Sequence, residues 1–196
     1  MISVLCVTKR EPFTAPFLKL FSQLAKEIGG EYVEIVDGRE AGVLEDILDN
    51  AIAECHGDYI LRLDDDETAS DGLAQWLKSK EYERGDLYAF PRQHLWRDPN
   101  HFIVTPPLWP DYQTRLSTKE KAGGRKEVHA GSPFGTGRIV DHPIIHWKFL
   151  VRTKQEREEI ANRYESRRKG AGHSPIYQPF NLPEISFAKL AVKDIE

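Results

Sequence analysis

The sequence has only two cysteines and one methionine among its 196 residues, and no run of about twenty continuous apolar residues. Two cysteines are too few for a disulfide framework, and Cys6 and Cys55 each fall inside an apolar pattern, so both read as reduced core residues. Without a long apolar run there is no membrane span. The opening Met1-Ile2-Ser3-Val4-Leu5 reads as a strand with no basic stretch ahead of it, and the expected location is cytoplasmic. A basic balance is missing too. With 27 Lys and Arg against 31 Asp and Glu the net charge is -4, so no overall field draws the chain to nucleic acid or anionic lipid. No glycine-rich phosphate loop follows the first strand pattern, where Lys9-Arg10-Glu11-Pro12 stands instead.

What is present is ordinary for a globular domain: 40% hydrophobic and 30% charged residues. The first half alternates two periodicities. Ser3 to Thr8 is a short β-branched run, and Phe17, Leu20, Phe21, Leu24 and Ile28 then mark one helical face before Gly29-Gly30. Tyr32 to Val36 predicts a second strand, Leu44 to Cys55 a second amphipathic helix, and Asp58 to Leu63 a third strand. A β-α-β-α-β order implies parallel strands covered on both faces, with ligands bound beyond their carboxyl ends. A helix over Leu73 to Lys80 and a strand over Leu87 to Trp96 follow. Beyond them Pro99, Pro106, Pro107 and Pro110 predict an ordered loop region. Thr153 and Glu156 have capping-box spacing and open a helix to about Arg168. Residues 1–168 are therefore expected to form one catalytic-type domain, with a nucleotide-binding half over 1–67 and an acceptor half over 68–168. The remainder, 169–196, is expected to be an irregular extension.

The sharpest feature is Asp64-Asp65-Asp66-Glu67 directly after the third strand pattern. Consecutive acids repel one another unless a cation neutralises them, and hard ions such as Mn²⁺ or Mg²⁺ join one or two carboxylates to substrate phosphates. Alternation along an extended chain places Asp64 and Asp66 on one side and Asp65 on the other. On that reading Asp66 is a direct metal ligand, Asp64 serves the ribose or the metal shell, and Asp65 supports them. The plainer reading is an acidic turn that caps the next helix, which Ser70 or Asp71 could also start. A calcium loop fails on spacing, with Ala69 where its glycine is required.

Three stretches of the first half, Ile2 to Thr8, Val36-Asp37-Gly38 and Gly57 to Glu67, resemble the nucleotide-binding half of family 2 glycosyltransferases with the GT-A fold, an α/β mixed sheet flanked by helices. Phe90-Pro91-Arg92, Trp109 to Leu116, Val128-His129, Ile145-His146-Trp147 and Asn162-Arg163-Tyr164 resemble, in order, the bacterial lipopolysaccharide-core type of glucosyltransferase. The resemblance implies hexose transfer from a nucleotide-diphosphate sugar, a UDP-sugar above all, to a hydroxyl of a glycan or lipid-linked saccharide. It implies nucleoside contacts from Thr8 and Asp37, base or phosphate contacts from Arg10, and His146 as a third metal ligand. Relatives carry a glutamate after the Val-His pair, where this chain has Ala130. Either Asp111, Glu127 or His129 then supplies the acceptor base, with Asp111 favoured by its Trp-Pro-Asp context, or the transfer proceeds differently, with retention of configuration; Arg115 is a candidate diphosphate partner.

Other readings stay open on sequence alone. The basic run from Arg152 to Lys169 is either a solvated helix face or a surface for a nucleic-acid acceptor carrying hydroxymethylated bases. The loss of the glutamate at Ala130 also fits a catalytically silent nucleotide-binding module. A sugar nucleotidyltransferase shares the early architecture.

Overall fold

The computed structural model describes residues 1–39, 44–123, 137–174, 178 and 192–194. Its first half follows the expected alternation: β1 (Ile2–Thr8), α1 (Ala15–Glu27), β2 (Glu31–Val36), α2 (Leu48–Ala53) and β3 (Tyr59–Arg62). β1 lies between β2 and β3 and is parallel to both. Its side chains alternate between the faces of the sheet as strand geometry requires. Ile2, Val4 and Cys6 enter the larger core with Phe17 and Phe21 of α1, whereas Leu5 enters a second core with Leu48, Ala51 and Ile52 of α2. The double burial explains why β1 reads as an unbroken apolar run. The expected single helix over Leu44 to Cys55 is a 3-10 turn at Leu44–Asp46 followed by α2. The break lies at Ile47, whose backbone (φ -120°, ψ -2°) leaves the helical region.

The second half reverses the strand direction. After β4 (Glu67–Ala69) and α3 (Asp71–Lys78) come β5 (Leu87–Trp96), β6 (Asp98–Ile103) and β7 (Asp111–Thr118). β7 runs antiparallel to both β3 and β5, and so joins the two halves in one mixed sheet. Of the four prolines only Pro99 lies in a strand, β6; Pro106, Pro107 and Pro110 lie in the ordered loop between β6 and β7, as expected. β8 (Arg138–Ile139) and β9 (Ile144–His146) pair parallel to β5, and β9 also pairs with β4. The short helix α4 (Lys148–Val151) leads into α5 (Lys154–Arg167), which opens on the complete Thr153/Glu156 capping box. Within the tail expected to be irregular, β10 (Val192–Asp194) pairs with β6 and extends the sheet. The result is an α/β fold with a mixed sheet flanked by helices. No described helix is long and apolar enough to cross a membrane.

Two adjacent glycines close α1. Gly29 sits at φ +66°, the left-handed conformation that ends helices, and a Cβ on Gly30 would lie 2.3 Å from the Ile2 carbonyl oxygen. That contact is with backbone and cannot yield cheaply. Gly30→Ala is expected to cost about 1–3 kcal/mol, read as a lowered urea midpoint. Gly38→Ala, where the added Cβ meets nothing within 4 Å, should stay within about 0.5 kcal/mol of the parent.

Candidate functional site

The acidic run forms a β-turn at the end of β3, with the Glu67 N–H donating to the Asp64 carbonyl. The turn alters the expected geometry. Asp65 and Asp66 do not point to opposite sides, because Arg152 reaches both: its Nη2 lies 3.2 Å from Asp65 Oδ1 and its Nε 3.2 Å from Asp66 Oδ2. Asp64 turns instead to Arg115, whose Nη2 donates to Asp64 Oδ2 at 2.6 Å and to Glu67 Oε1 at 2.9 Å. The helix-capping alternative is answered by Ser70, which caps α3 by accepting from Leu73 N, so the acids are not spent on that cap.

The strand ends bring in further groups. The Thr8 hydroxyl donates to Asp65 Oδ2 at 2.8 Å and accepts from the Arg10 amide. Arg10 itself adopts φ 53°, uncommon outside glycine, and its side chain points to Glu34 rather than to the acids. Asp37 follows β2, its N–H donating to the Thr8 carbonyl. Its carboxylate accepts from Arg39 through Nε at 2.8 Å and Nη2 at 3.0 Å, and this fork holds it below the usual carboxylate range. A base reaching Asp37 would have to share it with Arg39.

The other side of the site comes from β5, β7 and β9. Arg92 and His94 lie two apart on β5 and so share a face. Arg92 stands opposite Asp111 on β7, and His94 is paired with His146 on β9. Asp111 Oδ2 accepts from Arg92 Nε at 2.8 Å and lies 2.9 Å from His94 Nε2, while its Oδ1 accepts from Gln113 Nε2 at 2.6 Å. Arg92 Nη1 also reaches Glu67 Oε1 at 3.1 Å, and the Asp64 amide donates to Glu67 Oε2. His146 closes the circuit, its Nδ1 2.9 Å from His94 Nδ1 and its Nε2 3.3 Å from Asp66 Oδ1. Thr8, Asp64, Asp65, Asp66, Arg115, Asp111 and His146 are thus linked in one buried network. Asp37 adjoins it and Arg10 does not enter it. Glu127 and His129 lie outside the described residues.

Burial sets the charge states. It pushes His94 down to about 4 and His146 down to about 3, so both are neutral near pH 7. Burial opposes ionisation of Asp66, but His146 and Arg152 outweigh it and the carboxyl stays well below its usual range; with His146 neutral, the charge beside it is that of Arg152. Asp65 moves the other way, pushed up to about 6 by burial and by Asp66. The Lys148 ammonium is drawn down to about 7 by burial, with Arg92 and Arg152 adding to the effect and Asp66 opposing it. The acids of the cluster, Asp64, Asp65, Asp66, Glu67 and Asp111, are met by the guanidiniums of Arg62, Arg92, Arg115 and Arg152 and by Lys148 beside Asp66.

Glu67, Arg92, His94 and Arg152 are the members that sequence reasoning did not assign. The spacing of Arg92 and His94 on a strand already placed them together. Arg152, by contrast, was counted in a basic helical run. It lies between α4 and α5 and turns inward, its guanidinium 4.5 Å from the Phe13 ring centre. Arg157 of the same run is buried as well, so a run that reads either as a solvated face or as a nucleic-acid surface turns two of its cations inward.

No protein-family model matches the sequence, and no curated protein matches it. Among solved structures the chain is similar to a glycosyltransferase involved in the glycosylation of the major capsid of PBCV-1, with a TM-score of 0.41 at 10% identity over 81% of this chain and 97% of that one. It is similar to residues 1–349 of TarS from S. aureus, with a TM-score of 0.44 at 10% identity over 96% of this chain and 72% of that one. A putative glucose-1-phosphate thymidylyltransferase from Bacillus anthracis gives 0.28 at 12% identity over 93% and 74%. Identities of this size tie the chain to none of them as a family.

Removing one member should expose the cost of the others. Asp111→Ala leaves the Arg92 guanidinium, 13% exposed, without its closest carboxylate. A loss of about 3–5 kcal/mol in unfolding free energy is expected, measured by urea denaturation.

Proposed function

We propose that the chain is a glycosyltransferase of the GT-A type that uses a nucleotide-diphosphate sugar, with Asp66 and His146 holding Mn²⁺ or Mg²⁺. The observation that carries this reading is the pairing of Asp66 Oδ1 with His146 Nε2 at 3.3 Å beyond the carboxyl end of β3. Two donors about 2.1 Å from one octahedral ion lie roughly 3 Å apart when adjacent, so the pair fits a single cation. Among the described residues no third His, Cys, Asp or Glu joins them to complete a site. Such an incomplete site suits an ion whose remaining positions are filled by water and by the phosphates of its substrate.

The ion supplies charge stabilisation to the departing diphosphate. Arg152, paired with Asp65 and Asp66, would add a guanidinium beside the ion, and Thr8 fixes the carboxylate of Asp65 next to it. Asp37, released from Arg39, would accept a hydrogen bond from the base. In the transfer the acceptor hydroxyl oxygen bonds to the anomeric carbon as the bond to the diphosphate oxygen breaks, and the hydroxyl proton passes to a base. Asp111 is poorly suited to that last task, because Arg92, His94 and Gln113 already occupy its oxygens. Glu127 and His129 remain the base candidates by sequence, and the acceptor is proposed as a glycan or lipid-linked saccharide.

Incubation with a panel of UDP-sugars and Mn²⁺ should give slow donor hydrolysis, followed as released UDP. Asp66→Ala should lower it about a hundredfold or more, and EDTA should abolish it. Hydrolysis indifferent to both would remove the metal from the account. Pyrophosphate release from a nucleoside triphosphate and a sugar phosphate would instead identify a nucleotidyltransferase.

A further inference from the structure

Three contacts in a row join Asp111 to Asp66 through two buried imidazoles. Asp111 Oδ2 lies 2.9 Å from His94 Nε2, and His94 Nδ1 lies 2.9 Å from His146 Nδ1. His146 Nε2 then lies 3.3 Å from Asp66 Oδ1. The rings cross at 66° with centroids 4.8 Å apart. Ionised carboxylate oxygens and unprotonated ring nitrogens are all acceptors, so each contact is attractive only with a proton or another cation in it. Above the ordinary imidazole pKa two neutral rings bring one N–H each, and three contacts wait for them.

The distances decide which contact goes without. The facing Nδ1 atoms are within hydrogen-bond distance and must share one proton. The other proton belongs at the Asp111 end, which is shorter than the Asp66 end. There Arg92 Nε and Nη2, at 2.8 Å and 2.7 Å, both point at the oxygen that faces His94 and keep it an ionised acceptor. His94 therefore donates from Nε2 and accepts at Nδ1. His146 in turn donates from Nδ1, which leaves its Nε2 lone pair facing a carboxylate oxygen. Two acceptors brought together in this way are stabilised by a shared divalent cation.

We infer that Asp111 and His94 are a positioning pair that fixes His146 in its Nδ1–H tautomer and so presents its Nε2 lone pair, beside Asp66, as the nitrogen ligand of a divalent cation. Metal-bound histidines commonly donate their second N–H to a carboxylate, which orients the ring and fixes its tautomer. Here a second imidazole relays that function across β5 and β9, and Asp111 acts through it instead of serving as the acceptor base. The ligand role rests on the metal site proposed above; the tautomer does not.

Nitrogen-15 NMR of histidine-labelled, metal-free protein at about pH 8, above the ordinary imidazole pKa, reads the tautomers directly. The expected spectrum has His146 protonated on Nδ1 and His94 on Nε2. His146 protonated on Nε2 overturns the positioning pair. Mn²⁺ affinity, measured by electron paramagnetic resonance in the presence of UDP, supplies the second readout. His94→Phe leaves Asp111 with Arg92 and Gln113, and should return His146 to the Nε2–H form bonded to Asp66 and weaken Mn²⁺ binding about tenfold to a hundredfold. Unchanged tautomer and affinity in that variant also overturn the pair, and should it fail to fold, the wild-type spectrum decides alone. A wild-type protein that binds no Mn²⁺ loses the ligand role along with the metal reading, whereas Mn²⁺ binding by a His146 protonated on Nε2 sinks the positioning pair only.

Discussion

The Glu67 carboxylate, wholly buried, receives Arg92 and Arg115 on one oxygen and the Asp64 amide on the other. Around this arrangement the rest of the site is organised. Burial and Asp64 push the Glu67 carboxyl up to about 8 against the pull of Arg92, and an acid this costly to bury without donors holds the strands carrying the two arginines against the acidic turn in one register. β5 delivers Arg92, β7 delivers Arg115, and both are antiparallel neighbours in the sheet. The same register places Asp111 beside Arg92 and lines His94 up with His146. A polar network of this kind stabilises little by its ion pairs alone, but it penalises every misalignment, which is how it fixes the position of each functional atom.

That constraint also explains what the sequence disclosed and what it concealed. β1, β2 and β3 were legible because their inward side chains are apolar and their partners lie on nearby helices. The polar side chains of β7, Asp111, Gln113 and Arg115, bind other charges, so no apolar alternation marks the strand. β6 was hidden by its position among prolines, and β10 by its distance in the chain from the strand it joins. Within the site, the acidic turn, Thr8 and His146 were readable as chemistry-bearing positions. The sharing of Arg152 between Asp65 and Asp66 was not, since it depends on a turn that breaks strand alternation and on a contact 86 residues distant.

The two ends of the network differ. Toward Arg92 and Arg115 the carboxylates are closely matched by guanidiniums. Toward the carboxyl ends of β1 and β3, Asp65 is pushed up to about 6, and Asp66 faces an imidazole kept neutral by burial. One half of the network is thus closely paired, and at the other Arg152 and Lys148 stand beside Asp65 and Asp66. On the proposed reading a divalent ion bearing a diphosphate would bind at this end. On this view the arginines seen pairing the acids do not compete with nucleotide-sugar binding; they limit the cation to one place.

The central claim is that nucleotide and metal are bound together at Asp66 and His146. Calorimetric titration of UDP into the protein, with and without Mn²⁺, tests it most directly. The account predicts UDP affinity at least about tenfold higher with Mn²⁺ present, because the diphosphate would add ligands to the two from Asp66 and His146. Equal affinity in the presence of EDTA would contradict it.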